Sequence, residues 1–525
     1  MASPRPIRPS DWQSAPIQPG QYFNERPLSG FGRIDGLSGN PLHPASSDDD
    51  FEAHLAQSFA VLKRTYPKVH VARHTVQMPY YNSISSLPSL DDYGFVDAPR
   101  SLTTTSITVL LSPKSRYITS ALWYGFNRDQ LPALRTRLRH AFRGIVGNMG
   151  YYMTQALIED KAWAHNRRFP DFPLPPVYAY LGFHWKPEGG TFQGVRPAAV
   201  GIRRDETIDI LPRLDIDRYR VQLAWQSIDV RAVNAPQAVD SEVVLFTPAL
   251  RTVEIDALIV ETERMGGQST AWQTFAPTVP LPDVERRVNI FVANQGNGYW
   301  PQEQIVAVWR GQAPIPSFGA VLSFKADVFE RLFGQADLVG QPVRVQPVGH
   351  TPFDQYQQML GGFVPAVVNG EHIFCVDTVA QLMQQLSRYG NVNSPLALSS
   401  QESRNADPYV REPAGCLVQT ADWIGWVLFD GRHELSIGAS VVDVALLLRK
   451  LEAHGLIAGQ RIEQAVFVDG GSAMKAYHVE SSGAVVEMNI LNRVAAGSRN
   501  GPGNDTDGLN LYSLLYIALD ESFWS

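Results

Sequence analysis

The sequence predicts a β-rich α+β protein of more than one domain. The chain has 525 residues, 44% of them hydrophobic and 10% aromatic, which is ample material for a core and more length than one ordinary domain uses. Charged residues are only 18%, while 41 Gly and 37 Pro imply many turns and argue against a mainly helical chain. Short β-type runs separated by turn residues, at 198–201, 220–223, 243–246, 257–260 and 289–292, fill the middle of the sequence.

Residues 1–48 are rich in Pro, Gly, Ser and Asn without periodicity, the composition of an extended arm. Such an arm orders only against its own domain or a partner subunit, so contact with another protein, or with a second copy of the chain, is expected through it. The acidic run Asp48-Asp-Asp then leads a helical pattern through Phe51, Leu55, Phe59 and Leu62. Strand-like runs at 107–111 and 117–123 and a helical pattern at 128–143 complete an expected α+β domain over 49–165. Its basic run, Arg135 to Arg143, reads as a solvated helix face. The remainder, 170–525, reads as one β-rich domain.

The formal net charge of −7 gives no general attraction to nucleic acid or to anionic lipid. No stretch of about 18 apolar residues is present, so no membrane span is expected. No apolar run follows the basic positions near Met1, so a cytoplasmic location is expected, with carriage as part of a virion or exported assembly as the alternative. Cys375 and Cys416 stand outside any C-x-x-C pair and read as free buried thiols. His70 and His74 are four apart but lack the Glu of a zincin, and 504–508 lacks the outer ligands of a calcium loop, so no metal is expected. No cofactor is expected either: the G-x-G at 296–298 reads as a hairpin turn.

Chemistry concentrates after residue 411. A buried-strand run, 423–429, ends at Asp430-Gly431-Arg432. Ser440 and Asp443 have capping-box spacing before a leucine-rich helix that Gly455 stops. A second apolar run, 465–468, ends at Asp469-Gly470-Gly471-Ser472. A helix between two strands normally makes a parallel crossover, which predicts that Asp430 and Asp469 share one rim on adjacent strands. Strands about 4.8 Å apart put two such carboxylates about 5–10 Å from each other, the range of paired acids at a glycosidic bond. Asp-Gly is also a common turn dipeptide, so a purely structural role stays open.

Arg411 with Gly415, the strand into Asp430-Gly431-Arg432, Gly438 with its helix, and Val468 to Met474 together resemble the phosphodiester glycosidase family. Val233-Asn234 with 241–248, then 315–323, then Gly361 to Pro365 with Asn369-Gly370, match upstream in the same order. The resemblance covers roughly 170–525 and does not reach 1–165. It implies a hydrolase that cuts the glycosidic bond of a sugar-1-phosphodiester, such as an N-acetylglucosamine-1-phosphodiester or a cell-wall glycopolymer. The sequence departs from the family where Ser472 is followed by Ala473, and where Tyr180 to Trp185, with His184, stand in place of an Asn-Gly-Gly turn.

Residue chemistry then assigns roles. Arg411 and Arg432 are suited to hold phosphate bidentately, and the N–H groups of Gly470, Gly471 and Ser472 to form an anion nest. Asp469 is expected as nucleophile or general base, Asp430 as the orienter of Arg432 or of water, and His184 as a substrate contact. Two rivals stay open. A serine nucleophile at Ser472 lacks the final glycine of G-x-S-x-G, because Met474 occupies that fifth position. A glycan-binding or structural subunit of a larger assembly could keep the same fold without turnover.

Overall fold

The computed structural model describes residues 48–79, 87–97, 104–114, 144–150, 182–194, 196–235, 238, 241–250, 286–294, 303–311, 319–389, 413–431, 436–470, 474, 476–479, 485–488 and 514–518. Strand far exceeds helix among them, and the chain is a β-rich α+β protein. The α-helices among the described residues are α1 (Asp48–Thr65), α2 (Ala326–Phe333), α3 (Val379–Arg388) and α4 (Val441–Ala453). The strands that position the site are β1 (His70–Gln77), β2 (Thr104–Pro113), β3 (Gly144–Asn148), β4 (Tyr356–Val368), β5 (Ala414–Gln419), β6 (Trp423–Phe429), β7 (Gln464–Phe467) and β8 (Ala476–Val479).

Six of these strands form one ladder in the order β1, β2, β6, β5, β7, β4, and every neighbouring pair is antiparallel. One face carries Ile107, Val109, Val427, Phe429, Cys416 and Phe467, covered by α4 through Val444, Leu447, Leu448 and Leu451. The other face carries Leu110, Trp426, Leu428, Leu417 and Val466. Leu62 and Tyr66 cover part of it, and so does a second antiparallel sheet of Val485–Glu487, β8, β3 and Leu514–Ala518.

The two sheets meet at Trp426. A Cβ on Gly147 would lie 2.2 Å from the indole, so the β3 backbone rests directly on the ring. Its Nε1 also donates to the Asn148 carbonyl at 3.3 Å. Truncating a fully buried ring of this kind costs about 3–5 kcal/mol.

The helix that bridges β6 and β7 is specified locally at both ends. Ser440 Oγ accepts from Asp443 N (3.1 Å) while Asp443 Oδ2 accepts from Ser440 N (2.9 Å), and Tyr93 donates its hydroxyl to Asp443 Oδ1 at 2.7 Å. At the far end Gly455 has φ 69°. Leu456 N donates to Leu451 O and Gly455 N to Glu452 O, which closes the helix as a left-handed glycine does.

β4 pairs with β7 only from Val364 to Val368. Its first half pairs with the strand Ala198–Arg203 and leads into a second body. There the strands Arg218–Leu223, Val243–Phe246, Arg287–Asn294, Ala320–Lys325 and Pro342–Val348 enclose Val221, Leu245, Ile290, Leu322 and Val345, together with Phe329 and Phe333 of α2. Asn369-Gly370 makes the two-residue turn between β4 and Glu371–His372, with φ 50° and 81°. Cys375 and Cys416 are free, and burial pushes the Cys375 thiol up to about 12.

The expected division near residue 165 does not separate two cores. β2 is paired with β6 from Ile107–Phe429 to Pro113–Trp423, and Val76, Tyr93 and Ile107 share one apolar cluster with α4. The reason is that β2 is buried on both faces. A strand of that kind is covered on each side by other elements and cannot close a core with β1 alone. The arm over 1–47, the runs at 117–123, 128–143 and 257–260, the turn at 296–298 and the loop at 504–508 lie outside the described residues.

A fragment of residues 170–525 is therefore expected to aggregate, because it bares the β6 edge and the faces that α1 and β3 cover. A soluble fragment with the melting temperature of the full chain would contradict the shared core. A second expectation concerns Glu303, which is 5% exposed, with Oε2 lacking a hydrogen-bond partner among the described residues. Burial pushes its pKa up to about 8 from 4.5. Between those values the folded state holds a proton that the unfolded state has lost, so stability falls as pH rises from about 4.5 to about 8 and then levels. The melting-temperature advantage of Glu303→Gln should widen over that range, and a constant difference would show that the carboxyl is not buried uncharged.

Candidate functional site

β6 and β7 are both antiparallel to β5, so they run the same way and end at one edge of the sheet. Asp430 follows β6 directly, and Asp469 follows β7 by two residues. The strands are not neighbours, as the strand–helix–strand order had suggested, because β5 lies between them. Two spacings separate their backbones by roughly 10 Å. The registers align Phe429 with Ala414 and Cys416 with Phe467, which brings Asp430 beside Pro413 and Pro413 toward Gly470. A Cβ on Gly470 would lie 2.8 Å from the Pro413 carbonyl, so the glycine is needed for this approach.

Strand alternation separates the two acids further. Asp430 has the parity of Trp426 and Leu428, whereas Asp469 has that of Ala465 and Phe467, which point to the α4 face. Beyond β7 the chain is tied to the end of β3: Asp469 N donates to Met149 O at 2.8 Å, and its carbonyl accepts from Asn148 Nδ2 at 2.7 Å.

Asp430 is 1% exposed. Its N–H donates to Ser106 O, its carbonyl accepts from Ser436 Oγ, and Ser436 Oγ also accepts from Ser106 N. The loop after β6 is thus stitched to the start of β2. Its carboxylate lies 3.7 Å from a guanidinium nitrogen of Arg73 on β1.

Arg411, Arg432, Gly471 and Ser472 lie outside the described residues. The described cation at Asp430 is Arg73, from the segment that the family resemblance does not reach. The available signal was a single Arg between Val71 and Val76. His184 pairs with Leu360, four residues along β4 from the Val364 that faces Phe467. It is 2% exposed, and its backbone N–H donates to Thr191 Oγ1 at 2.9 Å. Burial, helped by Lys186, lowers its pKa to about 3. His184 is a neutral wall residue at ordinary pH.

His70 and His74 lie on one strand, where a four-residue separation spans about 13 Å, too far to share an ion. Their rings pack on Trp423 (6.3 Å) and Phe95 (5.9 Å). Asp215, Asp217 and His350 bring ligand atoms within 4.8 Å of one another, but all three are exposed and ordinary surface ion pairing accounts for them. Asn234 and Thr247, from two of the upstream matching segments, are joined by reciprocal hydrogen bonds of 2.9 and 2.8 Å. A groove of about 800 Å³ at the opposite end of β5 and β7 is lined by Gln419, Gln460 and Gln464 with Arg203 and Asp209.

Folded His184 stays neutral down to about pH 3 and His478, lowered by burial, down to about pH 4. An unfolded histidine takes up its proton near 6.5. Below that pH the unfolded state binds more protons, so stability falls with pH by up to roughly 1.4 kcal/mol per unit for each histidine. His184→Gln should flatten this fall between about pH 6 and pH 4 in chemical denaturation, and an unchanged slope would show that folded His184 protonates freely.

No family model matches the chain, and no curated protein matches it. Among solved structures it aligns with a protein of Burkholderia pseudomallei described as exported, at 14% identity and a TM-score of 0.37 over 89% of each chain. Likeness of that degree carries no argument about fold or function.

Proposed function

We propose that this protein is a phosphodiester glycosidase, a hydrolase that cleaves the glycosidic bond of a sugar-1-phosphodiester. The observation that supports it is the single sheet edge at which two Asp-Gly strand ends flank Pro413, with Asp430 held by a guanidinium and Asp469-Gly470 held against the β5 backbone. The group that leaves the anomeric carbon is a phosphate monoester, already a good leaving group, so little acid assistance is needed and one carboxylate suffices at the anomeric side. Asp469 takes that role. Asp430 acts through Arg73 and does not touch the bond. Arg411, Arg432 and the N–H groups of Gly470 to Ser472 hold the phosphate.

A second reading is a glycan-binding subunit of an exported assembly or virion, docked through the arm over 1–48. It is favoured by the short hydroxyl run, in which Ser472 is followed by Ala473. Among the described residues no helix is long and apolar enough to cross a membrane.

Asp469→Asn should lower turnover on a sugar-1-phosphodiester by about a hundredfold or more, with stability changed by no more than about 1 kcal/mol. Asp430→Asn should lower the melting temperature as well, since it removes the buried carboxylate that faces the Arg73 guanidinium at 3.7 Å. Full activity in Asp469→Asn would remove the catalytic reading and leave the glycan-binding one.

A further inference from the structure

We infer that Asn148, at the end of β3, is a positioning residue of this site: its carboxamide holds the Asp469–Gly470 peptide so that the Gly470 N–H is presented to the phosphate of the ligand. This role rests on the glycosidase reading only in taking the group beside Gly470 to be a phosphate. Backbone direction alternates at the end of β7. Val468 N donates to Gly415 O of β5 at 3.0 Å, whereas Asp469 N donates to Met149 O, on the β3 side, at 2.8 Å. The Asp469 carbonyl is taken on that side too, by Asn148 Nδ2 at 2.7 Å.

A trans peptide is planar, and its C=O and N–H point in opposite directions. With the Asp469 carbonyl turned to β3, the N–H of Gly470 in the same peptide is turned away from β3, toward β5 and the Pro413 that precedes it. That N–H has no hydrogen-bond partner among the described residues. Asp469 and Gly470 are both partly exposed, so a ligand can reach them. A hydrogen bond to the carbonyl also polarises the peptide, which makes the Gly470 N–H a stronger donor.

Asn148 is itself held in place. It is 1% exposed, its backbone pairs with Leu514, and its carbonyl accepts from Trp426 Nε1 at 3.3 Å. The other half of its carboxamide, Oδ1, is buried and lacks a partner among the described residues. A buried acceptor left in that state lowers stability, so an asparagine is a costly way to tie two strand ends together. The cost is explained if the donor on the other half is what the site needs. β3 thereby joins the site from the segment that the family resemblance does not reach.

The test is calorimetric titration of the full chain with inorganic phosphate, together with turnover of an N-acetylglucosamine-1-phosphodiester, repeated on Asn148→Ala, Asn148→Leu and Trp426→Phe, with melting temperatures taken alongside. Asn148→Ala removes the donor, and Asn148→Leu removes it while keeping the volume. Trp426→Phe loosens the end of β3 and leaves the bond from Asn148 to Asp469. Both Asn148 variants should weaken phosphate binding about fivefold or more and raise KM by a similar factor. Trp426→Phe should melt lower than the native chain and change phosphate affinity by less than about twofold. Unchanged phosphate affinity in the Asn148 variants, an equal loss in Trp426→Phe, or no phosphate binding by the native chain would each overturn the positioning role. Where Asn148→Ala does not fold, Asn148→Leu decides, and failure of both to fold would assign Asn148 to the fold alone. Turnover separates these outcomes from the glycosidase reading. Phosphate binding that depends on Asn148 without hydrolysis keeps the role and removes the enzyme, while hydrolysis that Asp469→Asn abolishes, with KM unchanged in Asn148→Ala, does the reverse.

Discussion

β5 enters the sheet between β6 and β7, and its backbone N–H and C=O groups are taken up by both neighbours along Cys416 to Gln419. With both edges satisfied, the strand cannot slide without breaking two ladders together. That fixes the distance between the ends of β6 and β7 and puts Pro413 between them. It also demands small residues where the chain comes close: a Cβ on Gly415 would lie 2.3 Å from Met474 Sδ, as one on Gly470 would meet Pro413. The edge is rigid because its spacing is set by backbone hydrogen bonds and not by side-chain contacts, and a rigid edge is what a positioned carboxylate needs.

The second constraint comes from the opposite end of the sequence. β1 and β2 complete the sheet on the β6 side and bring Arg73 to Asp430. A buried ion pair is a weak device for stability, since well-packed apolar side chains of similar volume usually do as well or better. The same reasoning applies to Ser106 and Thr108, whose burial lowers stability. Buried polar residues recur along β2, which carries Thr104, Thr105 and Ser112 as well. The ion pair draws on the segment that carries no family resemblance.

Local grammar was legible. The Ser440–Asp443 box, the Gly455 stop and the runs at Trp423–Phe429 and Val243–Phe246 each depend on residues within a few positions of one another. Long-range pairing was not. Nothing near residue 430 reports that its cation lies at residue 73, because the contact is made by a sheet register set across more than 350 residues. The placement of β5 was missed for a related reason. A helix between two strands suggests direct neighbours, and only the hairpin formed by Gln419, Thr420 and Trp423 shows that the preceding strand already occupies the position beside β6. Likewise β2 reads locally as part of a small domain, and its burial on both faces is visible only once α4 and β3 are in place.

Buried ionisable groups in the two bodies pull stability in opposite directions with pH. His478 lies in the sheet that rests on Trp426, and His184 in the wall beside β4; both are kept neutral in the fold, so protonation of the unfolded chain below about 6.5 works against folding. Glu303, in the other body, is kept protonated up to about 8, so ionisation of the unfolded chain above about 4.5 works against folding from the alkaline side. Between about 4.5 and 6.5 both effects operate. Two histidines gained outweigh one carboxyl lost, and stability rises with pH. Above 6.5 the histidines no longer contribute a slope, while Glu303 still does, and stability declines until its folded pKa is passed. These three groups together therefore put their joint optimum near the histidine value and not at the sequence pI of about 6.0, because what matters is the difference in bound protons between the two states and not the net charge of either.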